Sequence, residues 1–247
     1  MALSGACPGT LLPQVATFVP SGIPTFLGAL LGGIVVSKVV NTSGDYTHLR
    51  PETNDRTIYG VLPIDKWAAI IYYVIVCYGI GKGVDYFKLG QEEGNSLTEP
   101  FTGGILIGAT QGISLLLIGS TLGVSLAYEE VGNLFWRAFY TPTALEPTND
   151  ISNYSSMYSV LGIAVGSYAL SQIVELPAGN EIEISWLRAA LGGFSIIFGA
   201  RVAGGCTSGH GISGMSMLSL ESMVTTVMIF VGGIGTAYLL IGLDKLL

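Results

Sequence analysis

Residues 199–214 read GARVAGGCTSGHGISG, a stretch with six glycines, one arginine, one cysteine and one of the two histidines in the chain. Apolar segments flank it on both sides, so we expect it at membrane depth. Glycine permits sharp turns and a close approach of the backbone to a ligand. A helix that restarts after such a turn presents free N–H groups and a positive dipole end, which favour an anion. The stretch therefore predicts a broken helix inside a membrane protein, with an anion site at the break.

The composition of the whole chain agrees with a membrane location. Hydrophobic residues make up 50% of the 247 residues and charged residues only 11%, less than half the roughly 25% of soluble domains. The net charge of −7, with only 10 Lys and Arg, argues against a nucleic-acid partner. The three cysteines are too dispersed for a disulfide framework or a zinc site, so we predict neither a metal nor a cofactor.

Six apolar stretches are long enough to span a bilayer with a hydrocarbon core of about 30 Å. They are residues 22–40, 66–87, 101–118, 157–176, 186–203 and 222–243. Residues 1–18, 119–139 and 204–221 are rich in Gly and Ser and too short to cross, and such backbone must be surrounded by protein or by a water-filled cavity. We predict an all-α, multi-pass integral membrane protein in one domain, with about six transmembrane helices and short re-entrant half-helices.

Two parts of the chain resemble each other and predict a partial inverted repeat. Cys7 lies in GACPGT, 25 residues before Gly32, and Cys206 lies in GGCTSGHG, 26 residues before Gly232. Each of these glycines begins a Gly-Gly pair in an apolar helix. The two parts are five membrane crossings apart, an odd number, so they have opposite orientations. Inverted repeats of this kind are typical of transporters whose site lies at the midplane, where broken helices meet.

The repeat also predicts how the domain is divided and what covers it. We expect residues 1–40 to be the remnant of a first repeat, residues 66–87 a linker helix and residues 101–243 the second repeat. Within the second repeat, counted from residue 101, three spanning helices precede Cys206, whereas only six residues precede Cys7. Backbone groups of an uncovered loop would face hydrocarbon unsatisfied. We therefore expect another polypeptide, from the same or a different chain, to cover residues 1–22.

The residue types in these segments suit a soft anion, although each also has a structural interpretation. The Cys206 thiol can donate or accept weakly to sulfur, and His210 can donate to an oxyanion or titrate. Equally, membrane glycines often mark close helix packing, and a buried cysteine or histidine is often a core residue. Arg201 could neutralise an anion or extend to the interface. Glu129 and its neighbour Glu130 could cap a helix or contact substrate.

Residues 200–214, ARVAGGCTSGHGISG, resemble the signature of the YeeE/YedE family of integral membrane proteins, the sulfur (thiosulfate) transporters. MALSGACPGT at residues 1–10 resembles the matching motif of the family's first half, and GSTLGVSLAYEE at residues 119–130 resembles its glycine-serine pattern. The resemblance implies inverted repeats with short helices that dip to the middle, and uptake of thiosulfate or a related species past cysteines on a central path. The chain departs from the family because it lacks the upstream helices of the first half. By this resemblance the substrate-binding residues are Cys7, Ser125, Gly205, Cys206, Thr207, Ser208, Gly209 and His210.

We therefore predict membrane transport of a small sulfur-containing anion, with thiosulfate as the first choice. Its partners are membrane lipids, the anion and the covering polypeptide. One alternative is a non-transporting subunit of a larger membrane complex that keeps the transporter fold. Another is a membrane redox protein that uses Cys7 and Cys206. An enzyme is not expected, because the chain has no nucleophile–base–acid set and no nucleotide-binding fingerprint.

Overall fold

The computed structural model describes residues 1–42, 57–62, 64–86, 100–118, 123–139, 155–174 and 184–244. In these ranges the chain is helical, with an isolated β-bridge between Thr57 and Ser219, which confirms the all-α prediction. The helices are α1 (Pro8–Ala16), α2 (Gly22–Thr42), α3 (Ile58–Val61), α4 (Lys66–Tyr86), α5 (Pro100–Ile118), α6 (Ser125–Phe139), α7 (Ser155–Ile173), α8 (Trp186–Val202) and α9 (Leu220–Asp244), with a π-helical turn (Gly209–Gly214) between the last two.

Each of the six apolar stretches corresponds to a helix: α2, α4, α5, α7, α8 and α9. Within the described residues, α2 and α9 are long and apolar enough to cross a membrane, over Gly22–Val39 and Leu220–Gly242. A shorter apolar stretch, Phe101–Leu117, lies in α5. The number of crossings and the re-entrant arrangement therefore stay predictions. Residues 119–122, which begin the glycine-serine motif, lie outside the described ranges.

Glycines set the distance between α2 and α8, the most closely packed pair of helices. A Cβ atom on Gly28 would overlap the Ala190 carbonyl, and one on Gly193 would overlap the Thr25 carbonyl. A Cβ atom on Gly32 would lie 2.8 Å from the Phe194 carbonyl oxygen. The two backbones thus approach at a separation that only glycine permits, as is typical of membrane helix pairs.

The short helices α1 and α6 complete the core around this pair. One buried apolar cluster joins five parts of the chain; its members are Leu11 and Leu12 of α1, Ala29 of α2, Val124, Tyr128 of α6 and Ile197 of α8. In contrast, α4, α5, α7 and α9 carry large exposed apolar side chains along their length, such as Leu116 at 87% exposure. A face of this kind suits hydrocarbon, since lipid tails are as apolar as the side chains themselves.

Candidate functional site

Cys7 is the N-cap residue of α1, and its thiol pairs with backbone that the start of the helix leaves free. The Thr10 N–H donates to Cys7 Sγ at 3.3 Å, and the Cys7 N–H donates to Thr10 Oγ1 at 2.8 Å. This reciprocal pair is a capping box in which cysteine takes the place of serine or threonine. Pro8 follows, where the missing N–H of proline is tolerated. The half-buried sulfur is thus held at the positive end of α1.

Cys206 occupies the same position before a second short helix, which begins at Thr207 and continues through the π-helical turn. Its Sγ accepts the Gly209 N–H at 3.4 Å and lies 2.9 Å from Ser208 Oγ. The side chain is buried, with 2% exposure. Either Cys206 or Ser208 can be the donor in the contact between them. When the serine hydroxyl donates, the Cys206 S–H is left to donate to a ligand.

The two cysteine caps lie in one cluster. A Cβ atom on Gly9 would lie 3.5 Å from Ser208 Oγ and 3.8 Å from Cys7 Sγ, so the first turn of α1 contacts the first turn of the second short helix. Ser208 in turn contacts Cys206. Both cysteines are free thiols. The structure thus brings Cys7, Ser208 and Cys206 together at the N-terminal ends of two helices.

A glycine with positive φ lies two residues before each of the two cysteines. Gly5 has φ +64° and Gly204 has φ +76°, and each precedes its cysteine by two residues. The Gly5 N–H donates to the Met1 carbonyl at 2.9 Å, and the Gly204 N–H donates to the Arg201 carbonyl at 3.2 Å. A left-handed glycine whose N–H donates to a carbonyl of the preceding turn is a common way for a helix to end. Gly204 ends α8 in this way, and Gly5 closes a helical turn over residues 1–5.

The backbone after the two short helices matches as well. Phe18 and Leu218 both have φ 58°, which is uncommon for residues other than glycine. Each donates its N–H to the carbonyl three residues earlier, at 3.2 and 3.0 Å. Phe18 follows its cysteine by 11 residues and Leu218 by 12. Hydrogen bonds in a π-helix span five residues rather than four, so the turn Gly209–Gly214 accommodates the extra residue. These matches support the predicted repeat.

His210 is held by protein groups at both ring nitrogens. Its Nε2 lies 3.2 Å from the Ala203 carbonyl oxygen, and its Nδ1 lies 3.1 Å from Ser222 Oγ. A carbonyl only accepts, so Nε2 carries the hydrogen, and in a neutral ring Nδ1 accepts from the serine hydroxyl. A Cβ atom on Gly205 would lie 2.8 Å from Nε2, which explains the glycine beside the ring. The imidazole thereby connects the end of α8 to α9 through two hydrogen bonds.

A cavity of about 370 Å³ reaches Cys206 and Thr207. Its walls come from α8, α9 and residues 1–3, and small residues such as Gly199 and Gly232 line it. The buried Thr207 Oγ1 has no hydrogen-bond partner in the described part of the chain. Buried polar atoms are normally paired, so this hydroxyl is available to a small polar ligand.

Ser125 and Tyr128 lie on α6. Ser125, the first residue of the helix, is buried beside Val124 of the apolar cluster and does not line the cavity. Tyr128 follows one turn later, is 3% exposed and belongs to the apolar cluster. Its hydroxyl has no hydrogen-bond partner in the described part of the chain, which the sequence did not lead us to expect.

Arg201 forms an ion pair with Glu129 between α8 and α6. The two side chains are 13% and 15% exposed, so the pair lies largely in the interior. From the sequence we considered an anion-attracting or an interfacial role for Arg201, and a capping or a substrate-contacting role for Glu129. The observed pair neutralises both charges and joins two helices of the core.

Comparison with known proteins gives a consistent result. A family profile described as "Sulphur transport" matches residues 1–235. A protein named "Probable transporter" from Xylella fastidiosa strain 9a5c is 31% identical over 138 residues, which is 56% of this chain and 90% of that protein. Its counterpart from strain Temecula1 is 30% identical over the same length and the same shares.

Proposed function

This chain belongs to the sulphur transport family, and from that premise we propose that it carries thiosulfate through a path that passes Cys7 and Cys206. As a member of a transport family it is an integral membrane protein and not an enzyme. The observation that supports the proposal is the meeting of two capping thiols at the N-terminal ends of two short helices.

The chemistry of the cluster suits thiosulfate. The terminal sulfur of this anion is large and polarisable, and it carries part of the negative charge. A thiol S–H is a soft donor that matches such an atom, and helix N-termini favour the charge without a counter-ion. Each Sγ accepts a backbone N–H from its own helix, and with the Ser208 hydroxyl donating to Cys206 the S–H groups are left to donate to the substrate. In this mechanism the anion passes from one thiol to the other.

The remaining candidate residues have separate roles in this proposal. Ser208 and Gly209 hold Cys206 by the hydrogen bonds described above, and Thr207 offers its unpaired hydroxyl to the anion. Gly205 and His210 fix the turn that precedes the short helix. Ser125, which the sequence pattern predicts as a substrate-binding residue, would act from the start of α6.

We also propose the multi-pass inverted repeat, with a companion polypeptide on the α9 side. The Gly-Gly pair of α2 is packed: Gly32 against Phe194, and its neighbour Gly33 against the Tyr128 carbonyl. The matching pair of α9, Gly232 and Gly233, has no atom of the described residues within 4 Å of a Cβ placed there, and both glycines line the cavity. A helix packed on α9 as α8 packs on α2 would form the open wall of that cavity, and it would also cover residues 1–22.

The test is uptake of radiolabelled thiosulfate by the organism that makes the protein, with its gene deleted and then restored. This design keeps any companion polypeptide in place. We expect the deletion to lower uptake, the wild-type gene to restore it and a Cys206→Ser gene to fail. Full restoration by Cys206→Ser would contradict the cysteine path and support the non-transporting subunit instead. Unchanged uptake in the deletion strain would overturn the proposed substrate.

A further inference from the structure

Gly9 is a glycine that neither the backbone conformation nor the packing requires. It lies in the first turn of α1, and its φ is not positive. A Cβ atom placed on it would lie 3.5 Å from Ser208 Oγ and 3.8 Å from Cys7 Sγ, which are ordinary van der Waals distances. Alanine therefore fits at this position, and alanine favours a helix more than glycine does. The presence of glycine calls for a reason other than folding.

The same arrangement occurs at the second cysteine. Gly209 lies in the first turn after Cys206, and its φ is not positive either. A Cβ atom on Gly209 would lie 3.8 Å from Cys206 Sγ. Each capping thiol thus lies beside the bare backbone of a glycine in its own helix. Because glycine lets a ligand approach the backbone closely, the space beside each sulfur atom stays open.

The cavity shows where Gly9 lies relative to the two thiols. Cys206 and Pro8 line the cavity of about 370 Å³, whereas Cys7 does not. Gly9 follows Pro8 in the chain and faces Ser208, the residue whose hydroxyl contacts Cys206. The direct route from Cys206 to Cys7 therefore leaves the cavity between Gly9 and Ser208. We call the space between Gly9, Ser208 Oγ and Cys7 Sγ the passage.

We propose that Gly9 controls the transfer of the anion between the two thiols, because its missing side chain keeps the passage open. The inference rests on the proposed function and adds to it a residue that governs the step from Cys206 to Cys7. A methyl group at Gly9 would lie at contact distance from both Cys7 and Ser208, so it would occupy space that the moving anion needs. Binding at Cys206 takes place from the cavity and does not depend on Gly9.

The decisive variant is Gly9→Ala, which adds one methyl group to the passage. Uptake of radiolabelled thiosulfate by the restored deletion strain gives KM and, divided by the amount of protein in the membrane, Vmax. An extra methyl group in a narrow space raises the barrier to movement, so we expect Vmax to fall about tenfold or more. The KM should stay within about twofold of wild type, because the binding step is unaffected. The unfolding temperature of the purified protein should stay the same or rise.

Gly162→Ala in α7 is the matched control. It is also a change from glycine to alanine within a helix, and a Cβ atom there meets no atom of the described residues within 4 Å. The unfolding temperature should again stay the same or rise, while Vmax and KM keep their wild-type values. An equal loss of Vmax in both variants would show that the effect does not come from the passage.

Three further results would overturn the role of Gly9. The first is an unchanged Vmax in Gly9→Ala while wild type transports thiosulfate. The second is a lower Vmax with a lower unfolding temperature, since the fold itself would then need the glycine. The third is a raised KM with an unchanged Vmax, which would place Gly9 at the binding step. Failure of the proposed function is distinguishable from all of these, because wild type would then restore no uptake.

Discussion

Gly5 and Gly204 have the same left-handed backbone conformation, and each lies two residues before a cysteine that caps a short helix. The two positions are 199 residues apart in the chain. L-residues other than glycine rarely adopt this conformation, so each of the two turns requires glycine at this place before the cysteine. The turn aims the following helix so that its capped N-terminus meets the other one. The position of both thiols therefore depends on these two glycines.

The first prediction follows from this turn. Gly204→Ala should lower the free energy of unfolding by about 1 kcal/mol, because a Cβ strains a left-handed residue. No atom lies within 4 Å of that Cβ, so the cost is one of conformation and not of collision. The matched control is Gly79→Ala in α4, where a Cβ also meets nothing but the backbone is helical. There alanine should stabilise by up to about 1 kcal/mol. Thermal unfolding in detergent measures the stability of both variants. Equal changes in the unfolding temperature of Gly204→Ala and Gly79→Ala would contradict a conformational cost at Gly204.

The second prediction separates the capping cysteines from the third one. Cys206→Ser keeps the size and the hydrogen bonds to Gly209 and Ser208, so the protein should fold normally. It replaces a soft donor by a hard one, and most thiosulfate uptake should be lost. Cys77→Ser changes an exposed thiol on α4 and should leave uptake at the wild-type level. Uptake and the amount of protein in the membrane are measured together. Equal uptake by the two variants would show that Cys206 only packs.

Much of the helical framework could be predicted from apolar runs, because a stretch that suits a bilayer is local in sequence. The helices α2 and α9 were found in this way, and so was the special character of the segment around Cys206. The capping role of each cysteine is also local, since the partners Thr10 and Gly209 lie three residues away. Such features depend on a few neighbouring residues, and a single sequence contains them.

Contacts between distant segments could not be predicted in the same way. The pair of Arg201 with Glu129 joins residues 72 positions apart, and neither residue shows in sequence that the other will neutralise it. Tyr128 has the spacing of an ordinary core residue, and only the structure shows that its buried hydroxyl has no hydrogen-bond partner among the described residues. His210 was expected as a ligand or a core residue, and its two hydrogen bonds come from groups brought together by the fold.

The third prediction concerns the ion pair between α6 and α8. Glu129→Gln leaves Arg201 charged and largely buried, so the free energy of unfolding should fall by about 3 kcal/mol. The double variant Glu129→Gln with Arg201→Gln removes both charges. Its free energy of unfolding should therefore fall less than that of the single variant. Arg137→Gln, at the exposed end of α6, serves as the control and should change stability by about 1 kcal/mol or less. Chemical unfolding of the purified protein tests all three. If the double variant is less stable than Glu129→Gln, Arg201 must have another stabilising partner.

The fourth prediction compares Gly32 and Gly232, which are at matching places in the proposed repeat. Gly32→Leu should prevent accumulation of folded protein, because even its Cβ would lie 2.8 Å from the Phe194 carbonyl oxygen at the contact of α2 with α8. Gly232→Leu meets no atom of the described residues within 4 Å of its Cβ, so the chain by itself should fold with an unchanged unfolding temperature. If a companion helix packs on α9 as α8 packs on α2, the added leucine would block it. Gly232→Leu should then lose both thiosulfate uptake and the larger complex seen by native electrophoresis of solubilised membranes. Wild-type uptake and complex size in that variant would exclude a companion on this face, and the matching conformations of Gly5 and Gly204 would then be a relic of the repeat without a partner.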